Sequence, residues 1–205
     1  MTGDKPSAKA RDKARRLIGE KGGIVRTGEA LRTGIHPRTL YELRDTGELE
    51  QVSRGVFRLS VREPIYNPDL VIAALRIPHG VICLISALAF HEITTQIPHA
   101  VSVALRKGAE SPRIDHPPVS IHRFSDAAYR AGIEEHVIDG VKVRVYSPEK
   151  TLADCFKYRN KIGMDVVLEA LKLCMARRIN MDKLFKYAKV CRVANVMRPY
   201  LEAVV

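Results

Sequence analysis

The sequence predicts an α+β fold in two parts, and three observations carry this prediction. Apolar side chains recur at helical spacing over residues 7–20, which indicates an amphipathic helix near the N-terminus. Residues 49–53 and 56–60 have strand character on either side of a tight turn at Arg54 and Gly55, which indicates a hairpin. Several further helical segments follow between residues 148 and 203, after a region that alternates between strands and helices.

The first part of the chain has the order helix, short strand, helix, helix and hairpin. We predict helices over residues 7–20, from a capping Thr27 to Gly34, and over 37–45, with a short strand at 24–25. Pro37 suits the first turn of the third helix. This order is typical of a winged helix-turn-helix, which we assign to residues 1–62. Prolines in the stretch VREPIYNP, residues 61–68, favour a linker, so the second domain covers residues 63–205.

The second part mixes strands and helices before it becomes helical. We predict helices near 68–76 and 86–93, a strand at 100–105, an exposed loop at 107–118, and strands at 119–122, 134–138 and 141–146. Asp139 and Gly140 favour a tight hairpin between the last two strands. Helices over about 148–158, 164–177, 181–190 and 194–203 complete the chain. The predicted fold is therefore an N-terminal winged helix-turn-helix followed by a larger mixed α/β domain that ends in a helical bundle.

Positive charge is concentrated at the two ends of the chain. The formal net charge is +11. Lysine and arginine exceed the acids by five over residues 1–63, match them over 64–170, and exceed them by six over 171–205. Such an imbalance suits a polyanionic partner such as nucleic acid, although solvated basic faces would have the same composition.

Several classes of protein are disfavoured. Four cysteines stand singly, without the paired spacing of zinc sites or disulfide frameworks, so we expect reduced thiols and a cytoplasmic protein. No stretch has the length of a membrane span or a signal-peptide core. His91 and Glu92 begin a zinc motif that Thr95 breaks, and Ser86 lacks the flanking glycines of a nucleophile elbow. We therefore expect no catalytic residues, no metal and no cofactor, and hence no enzyme.

The predicted third helix has a face that suits the major groove of DNA. At 100° per residue Leu40 and Leu43 point together toward a core, and the opposite side carries Arg38, Tyr41, Glu42 and Asp45, with Thr39 and Arg44 on the flanks. A recognition helix presents its N-terminal side chains to base edges, and arginine can pair bidentately with guanine. We expect the base-contacting residues to be those at the start of this helix: His36, Arg38, Thr39 and Tyr41.

Other cations are expected to hold the DNA backbone. Ser53, Arg54 and Arg58 lie at or near the predicted wing, where they would meet phosphate or the minor groove. Lysines and arginines on the first helix and its end add contacts that position the protein without reading sequence: Lys9, Lys13, Arg15, Arg16 and Lys21. The same residues would also be exposed on a winged helix that docks proteins, and Glu42 and Asp45 oppose phosphate binding. We favour DNA because the motif, the exposed arginine and the regional charge agree.

The chain resembles the AbiEi family, the antitoxins of type IV toxin–antitoxin systems. The resemblance rests on GGIVRTGEALRTGIHPRTLYELRDTGELEQVSRGVFRLS, on LISALAFH at 84–91, on Ile97 and Pro98, and on SPEKTLADCF at 147–156, and it extends to Tyr200, Leu201 and Glu202. It implies a repressor that binds promoter repeats of its own operon in double-stranded DNA. It also implies an antitoxin that counters an AbiEii-type nucleotidyltransferase toxin in phage defence, without forming a stable complex with it.

The resemblance further implies that the second domain carries the antitoxin activity. We place an antitoxin surface at Lys150, Asp154, Arg177 and Arg178, while Asp154 alone is also explained by a hydrogen bond or ion pair that anchors its helix. Arg177 and Arg178 would equally complement the end of a helix. Two alternatives remain open: a protein-interaction module that inhibits a toxin by direct binding, and an RNA-binding regulator that uses the basic C-terminal helices.

Overall fold

The computed structural model describes residues 7–60 and 67–204. The chain has the predicted mixed α+β fold, with helices and strands over both parts. It divides into two compact units, of which one contains the described residues up to Arg76 together with Val137–Lys142, and the other contains Ile77–His136 and the chain from Val143 onward. The predicted domain boundary between residues 62 and 63 lies outside the described residues and stays a prediction.

The first unit has the element order and sheet expected of a winged helix-turn-helix. Its helices are α1 (Ala8–Glu20), α2 (Thr27–Arg32) and α3 (Pro37–Asp45), and its strands are β1 (Ile24–Arg26), β2 (Leu49–Ser53) and β3 (Val56–Leu59). The strands form an antiparallel sheet in the order β1-β3-β2. A further helix, α4 (Pro68–Arg76), groups with this unit.

Local sequence explains where these helices begin. The Ser7 hydroxyl accepts from the Ala10 N–H at the start of α1, as a serine cap should. Pro37 is the first residue of α3, where its missing N–H is of no consequence. The cap predicted at Thr27 is wrong: Arg26 precedes α2, and Thr27 is its first residue, with a hydroxyl that donates to the Gly55 carbonyl.

The core of the first unit holds α3 in place from one side. Buried apolar residues from α1, α3 and the sheet pack together, among them Ile18, Leu40, Leu43 and Phe57. Burial of Leu40 and Leu43, both 0% exposed, confirms the predicted inner side of α3. Leu31, near the end of α2, is 40% exposed.

The second unit is built on a five-stranded sheet in the order β6-β5-β4-β8-β7, part of whose β7–β8 hairpin groups with the first unit. The strands are β4 (Val81–Ile82), β5 (Val101–Arg106), β6 (Val119–Phe124), β7 (Ile133–Ile138) and β8 (Val141–Tyr146). The helices are α5 (Leu84–Phe90), α6 (Asp126–Arg130), α7 (Pro148–Lys157), α8 (Arg159–Ile162), α9 (Met164–Ala176), α10 (Met181–Cys191) and α11 (Ala194–Val204). Within the parts of the chain described above, none of the helices is long and apolar enough to cross a membrane.

Helix α7 lies at the centre of the second unit. It contacts α5, α9 and α10, and its residues from Glu149 to Phe156 are all buried. The predicted antitoxin surface is therefore wrong at Lys150 and Asp154, which are 0% and 1% exposed. Four cysteines are likewise buried and free, as expected of reduced thiols: Cys83, Cys155, Cys174 and Cys191.

Candidate nucleic-acid interface

Helix α3 exposes one side of its first turns. His36 caps the helix, because its Nδ1 accepts from the Arg38 N–H at 3.2 Å. His36, Arg38 and Tyr41 are exposed, opposite the buried pair Leu40 and Leu43. These exposed side chains have the arrangement that a recognition helix requires.

Arg38 is the side chain best placed to read a base. Within residues 7–60 and 67–204 its guanidinium takes part in no ion pair and no hydrogen bond, so its donors remain available to a partner. It lies in the first turn of α3, where the helix dipole favours an anionic neighbour.

Tyr41 is held in position by two neighbours. Its ring lies edge-on to Phe57 at 6.0 Å between centroids, and the Arg44 guanidinium lies 5.0 Å from its centroid. The ring is nevertheless 41% exposed. Tyr41 therefore exposes part of its ring on the same helix as Arg38.

Farther along α3, Arg44 is paired with Asp45, and Glu42 adds a negative charge. Two guanidinium nitrogens of Arg44 bond Asp45 Oδ1, at 2.8 and 2.6 Å. Glu42 is half-buried, and its Oε2 has no hydrogen-bond partner in the described chain. The net positive potential of α3 is thus greatest at its N-terminal end.

Thr39 does not lie where we expected it. It is 4% exposed and lines a small cavity between α1 and α3 instead of flanking the outer side of the helix. Packing of α1 against α3 covers that flank. Thr39 is thus withheld from direct contact with base edges.

The turn between β2 and β3, which is the predicted wing, exposes Arg54. Its side chain is exposed and has no ion-pair partner within the described residues, and Gly55 allows the turn with φ of +70°. Ser53 is half-buried at the end of β2. Arg76 of α4 donates a hydrogen bond to the Arg54 carbonyl, a contact with no signal in the sequence.

Arg58 lies away from the wing turn. It occupies the middle strand β3 directly opposite Glu50, and its guanidinium lies 3.3 Å from the Glu50 carboxylate. Its side chain is 16% exposed. A partly buried and paired arginine is a poorer phosphate ligand than Arg54. This position corrects the expectation that Arg58 is exposed at or near the turn, where it would meet DNA.

The cations of α1 also differ in whether an acidic side chain engages them. Arg15 is bonded to Asp12 and Glu48, and Arg16 lies 3.8 Å from Glu20. Lys13 is exposed, has no acidic partner in the described residues, and lines the same cavity as His36 and Thr39. Among the other predicted phosphate contacts, Lys21 is bonded to Glu29, whereas Lys9, Lys13 and Arg54 have no acidic partner in the described residues.

The predicted residues of the second unit fall into two groups. Lys150 Nζ lies 2.5 Å from Asp154 Oδ2 in a buried ion pair, which is the anchoring contact that one interpretation of Asp154 foresaw. Burial raises the pKa of the Asp154 carboxyl, and Lys150 partly offsets this. Arg177 is exposed and bonds the His91 carbonyl, with Glu92 3.4 Å away, and Arg178 is exposed at the end of α9.

The segment with these exposed cations carries the sequence pattern of a class of transcriptional regulators. Residues 12–60 match the family model of the transcriptional regulator described as AbiEi antitoxin. The resemblance expected from the sequence is confirmed over these residues, and the part carried by residues 147–156 stays a prediction.

Similarity to other proteins extends over most of the chain only at the level of fold. No curated protein matches the sequence. The crystal structure of the RV2827C protein from Mycobacterium tuberculosis is similar, with a TM-score of 0.60 and 15% identity over 91% of this chain and 73% of that chain. This similarity supports the predicted fold class.

Proposed function

We propose that this protein is a sequence-specific transcriptional repressor that holds double-stranded DNA with α3 in the major groove and the Arg54 turn on the backbone. One observation carries the proposal: α3 buries Leu40 and Leu43 and leaves Arg38 exposed and unpaired within the described residues, in the segment that matches a regulator family. The surplus of positive charge over residues 1–63 supports it.

The proposal is tested by selecting duplexes from a random library with the wild-type protein and measuring their affinity. Arg38→Ala should lower affinity for the selected duplex about tenfold and lower affinity for a random duplex much less, because a bidentate arginine contact distinguishes bases by roughly 1–3 kcal/mol. Arg15→Ala is the matched control, since Arg15 is engaged with Asp12 and Glu48. A wild-type protein that selects no duplex contradicts the proposal.

We further propose that the protein acts as a type IV antitoxin in the cytoplasm, in phage defence, without catalysis, and represses its own operon at promoter repeats. Its functional partner is then a nucleotidyltransferase toxin with which it forms no stable complex. Rescue of growth on co-expression with such a toxin, without co-purification, supports this. Stable co-purification of the two proteins would instead favour direct inhibition by binding.

RNA binding is a second candidate because of the surface of α10. Phe185 is 45% exposed there, Lys186 and Lys189 are exposed on the same helix, and Arg192 is exposed at its C-cap, with no ion pair for these three cations in the described residues. Exposed cations beside an aromatic ring suit single-stranded or structured RNA. Tighter binding to transfer RNA than to the selected duplex would favour this candidate.

A further inference from the structure

A small cavity lies between α1 and the start of α3. Its volume is about 170 Å³, whereas a water molecule occupies roughly 30 Å³ of the liquid. Aliphatic side chains of α1 and Ile35 contribute to its lining, and Lys13, His36 and Thr39 supply its polar groups. No carboxylate lines it.

The start of α3 leaves one backbone donor unused. Pro37 has no N–H, the Arg38 N–H donates to His36 Nδ1, and the Leu40 N–H donates to the His36 carbonyl at 3.2 Å. The Thr39 N–H has no acceptor among the described residues. An unused N–H at the start of a helix is a donor for an anion.

The side chain of Thr39 supplies a second donor. Thr39 is 4% exposed and lines the cavity, and its hydroxyl makes no hydrogen bond within residues 7–60 or 67–204. The hydroxyl is not among the side-chain atoms that are fully cut off from solvent without a partner, so it can exchange water for an anion. One residue that lines the cavity therefore carries both an unused N–H and an unused O–H.

The remaining polar groups are also donors. Lys13 is a cation without an acidic partner in the described chain. Because His36 Nδ1 accepts the capping bond, the proton of its neutral ring lies on Nε2, where it can donate. Four donors and no acid are complementary to an anion with several acceptor oxygens.

We propose that this cavity binds a phosphate group of the DNA backbone, held by the Thr39 N–H and O–H and by Lys13. The inference rests on the proposed function, since the cavity adjoins the exposed end of α3. Thr39 then positions the recognition helix without reading a base, so its loss weakens binding to every sequence by the same factor.

The test uses the full chain and a duplex selected by the wild-type protein, in which single phosphates are replaced by uncharged methylphosphonates. In the wild-type complex, one replacement should lower affinity about tenfold, as expected for a charge-assisted hydrogen bond. Thr39→Val should lower affinity by a similar factor and reduce the further loss caused by that same replacement. Thr39→Ser, which keeps the hydroxyl, should retain wild-type behaviour.

Lys13→Ala should also reduce the loss caused by that replacement, whereas Lys9→Ala should leave this loss unchanged. Lys9 is the matched control, because it is exposed one turn earlier on α1 and does not line the cavity. If the wild type binds its duplex but Thr39→Val leaves affinity and the pattern of sensitive phosphates unchanged, the phosphate site is refuted while DNA binding stands.

Titration with inorganic phosphate distinguishes the two sources of the anion. The Thr39 amide resonance should shift on addition of the duplex and remain unmoved by low millimolar phosphate. Saturation by inorganic phosphate alone, with the methylphosphonate pattern unaltered in Thr39→Val, would overturn the assignment to DNA and indicate a site for a free anion. A wild type that binds no duplex refutes the proposed function itself.

Discussion

Removal of one member of the Lys150–Asp154 ion pair should destabilise the second unit by several kcal/mol at neutral pH. The two side chains are 0% and 1% exposed, and Nζ and Oδ2 are 2.5 Å apart. Cys191 Sγ donates to the other carboxylate oxygen, and the Tyr146 ring lies 4.2 Å from Nζ. Because neither charge can reach water, an unpaired survivor costs about 3–5 kcal/mol.

The two single variants should differ in how their stability depends on pH. In Lys150→Met the folded protein keeps a proton on Asp154, whose pKa burial already raises, while the unfolded chain ionises it near 3.8. The unfolded state then binds fewer protons, so stability falls as pH rises, by about 1.4 kcal/mol per pH unit while the folded carboxyl stays protonated. Asp154→Asn lacks this carboxyl, so its stability should not fall in this way as pH rises.

Urea unfolding at pH 5 and pH 7 measures these differences. The chain has no tryptophan, and five of its seven tyrosines follow residue 77, so near-ultraviolet circular dichroism reports mainly on the second unit. The double variant Lys150→Met with Asp154→Leu should recover much of the lost stability, because no unpaired charge remains. Single variants that each lose less than about 1 kcal/mol at pH 7, with no pH slope in Lys150→Met, would refute the reasoning.

Three further predictions concern charge, protonation and backbone. Arg54→Ala should reduce the slope of log affinity for the duplex against log salt concentration by about one unit. Arg58→Ala removes an arginine that is paired with Glu50, so it should leave this slope unchanged. Equal slopes for the two variants would contradict the difference between the two arginines. Burial lowers the pKa of His91 below its ordinary value of 6.5, so the unfolded state takes up the proton first and stability should fall as pH drops below that value. His91→Gln should flatten this fall in thermal unfolding at pH 7 and pH 5, and an unchanged slope would exclude His91 as its cause. Gly132→Ala should lower the unfolding temperature, because φ there is +69° and a Cβ would lie 2.6 Å from Lys150 Cβ, with strain of about 1–2 kcal/mol at least; an unchanged melting temperature would show that the backbone relaxes.

Sequence analysis correctly predicted the elements whose first and last residues are marked by local signals such as proline and glycine. Helix α3 has the predicted bounds because Pro37 starts it, Leu40 and Leu43 anchor it and Gly47 follows it. Strand β4 was missed since its two residues are defined by pairing with β5 and β8. The apolar run that includes β4 and α5 does not by itself distinguish strand from helix. For this reason the start of α5 was predicted near residue 86, whereas the helix begins at Leu84.

The candidate interface was predicted to the extent that helical periodicity determines it. Periodicity correctly predicted that Arg38 is exposed and that Leu40 is buried. It placed Thr39 on a flank of the helix, and packing of α1 against α3 covers that flank. Pairing between Arg58 and Glu50 depends on the register of β2 with β3, which the hairpin sequence leaves open. The spacing of Lys150 and Asp154 is that of an ion pair on one helix face, whereas their burial follows from the three helices around α7.

Because its four thiols are buried, the native protein should react only slowly with alkylating reagents. Burial raises the pKa of Cys83, Cys155, Cys174 and Cys191, so each is withheld from solvent and kept as the unreactive thiol. One cysteine introduced at the exposed Gln51 of β2 would then be the single fast-reacting position on the folded molecule. Its modification rate with and without duplex would map the footprint of a bound partner on the wing, with no need to delete any native cysteine.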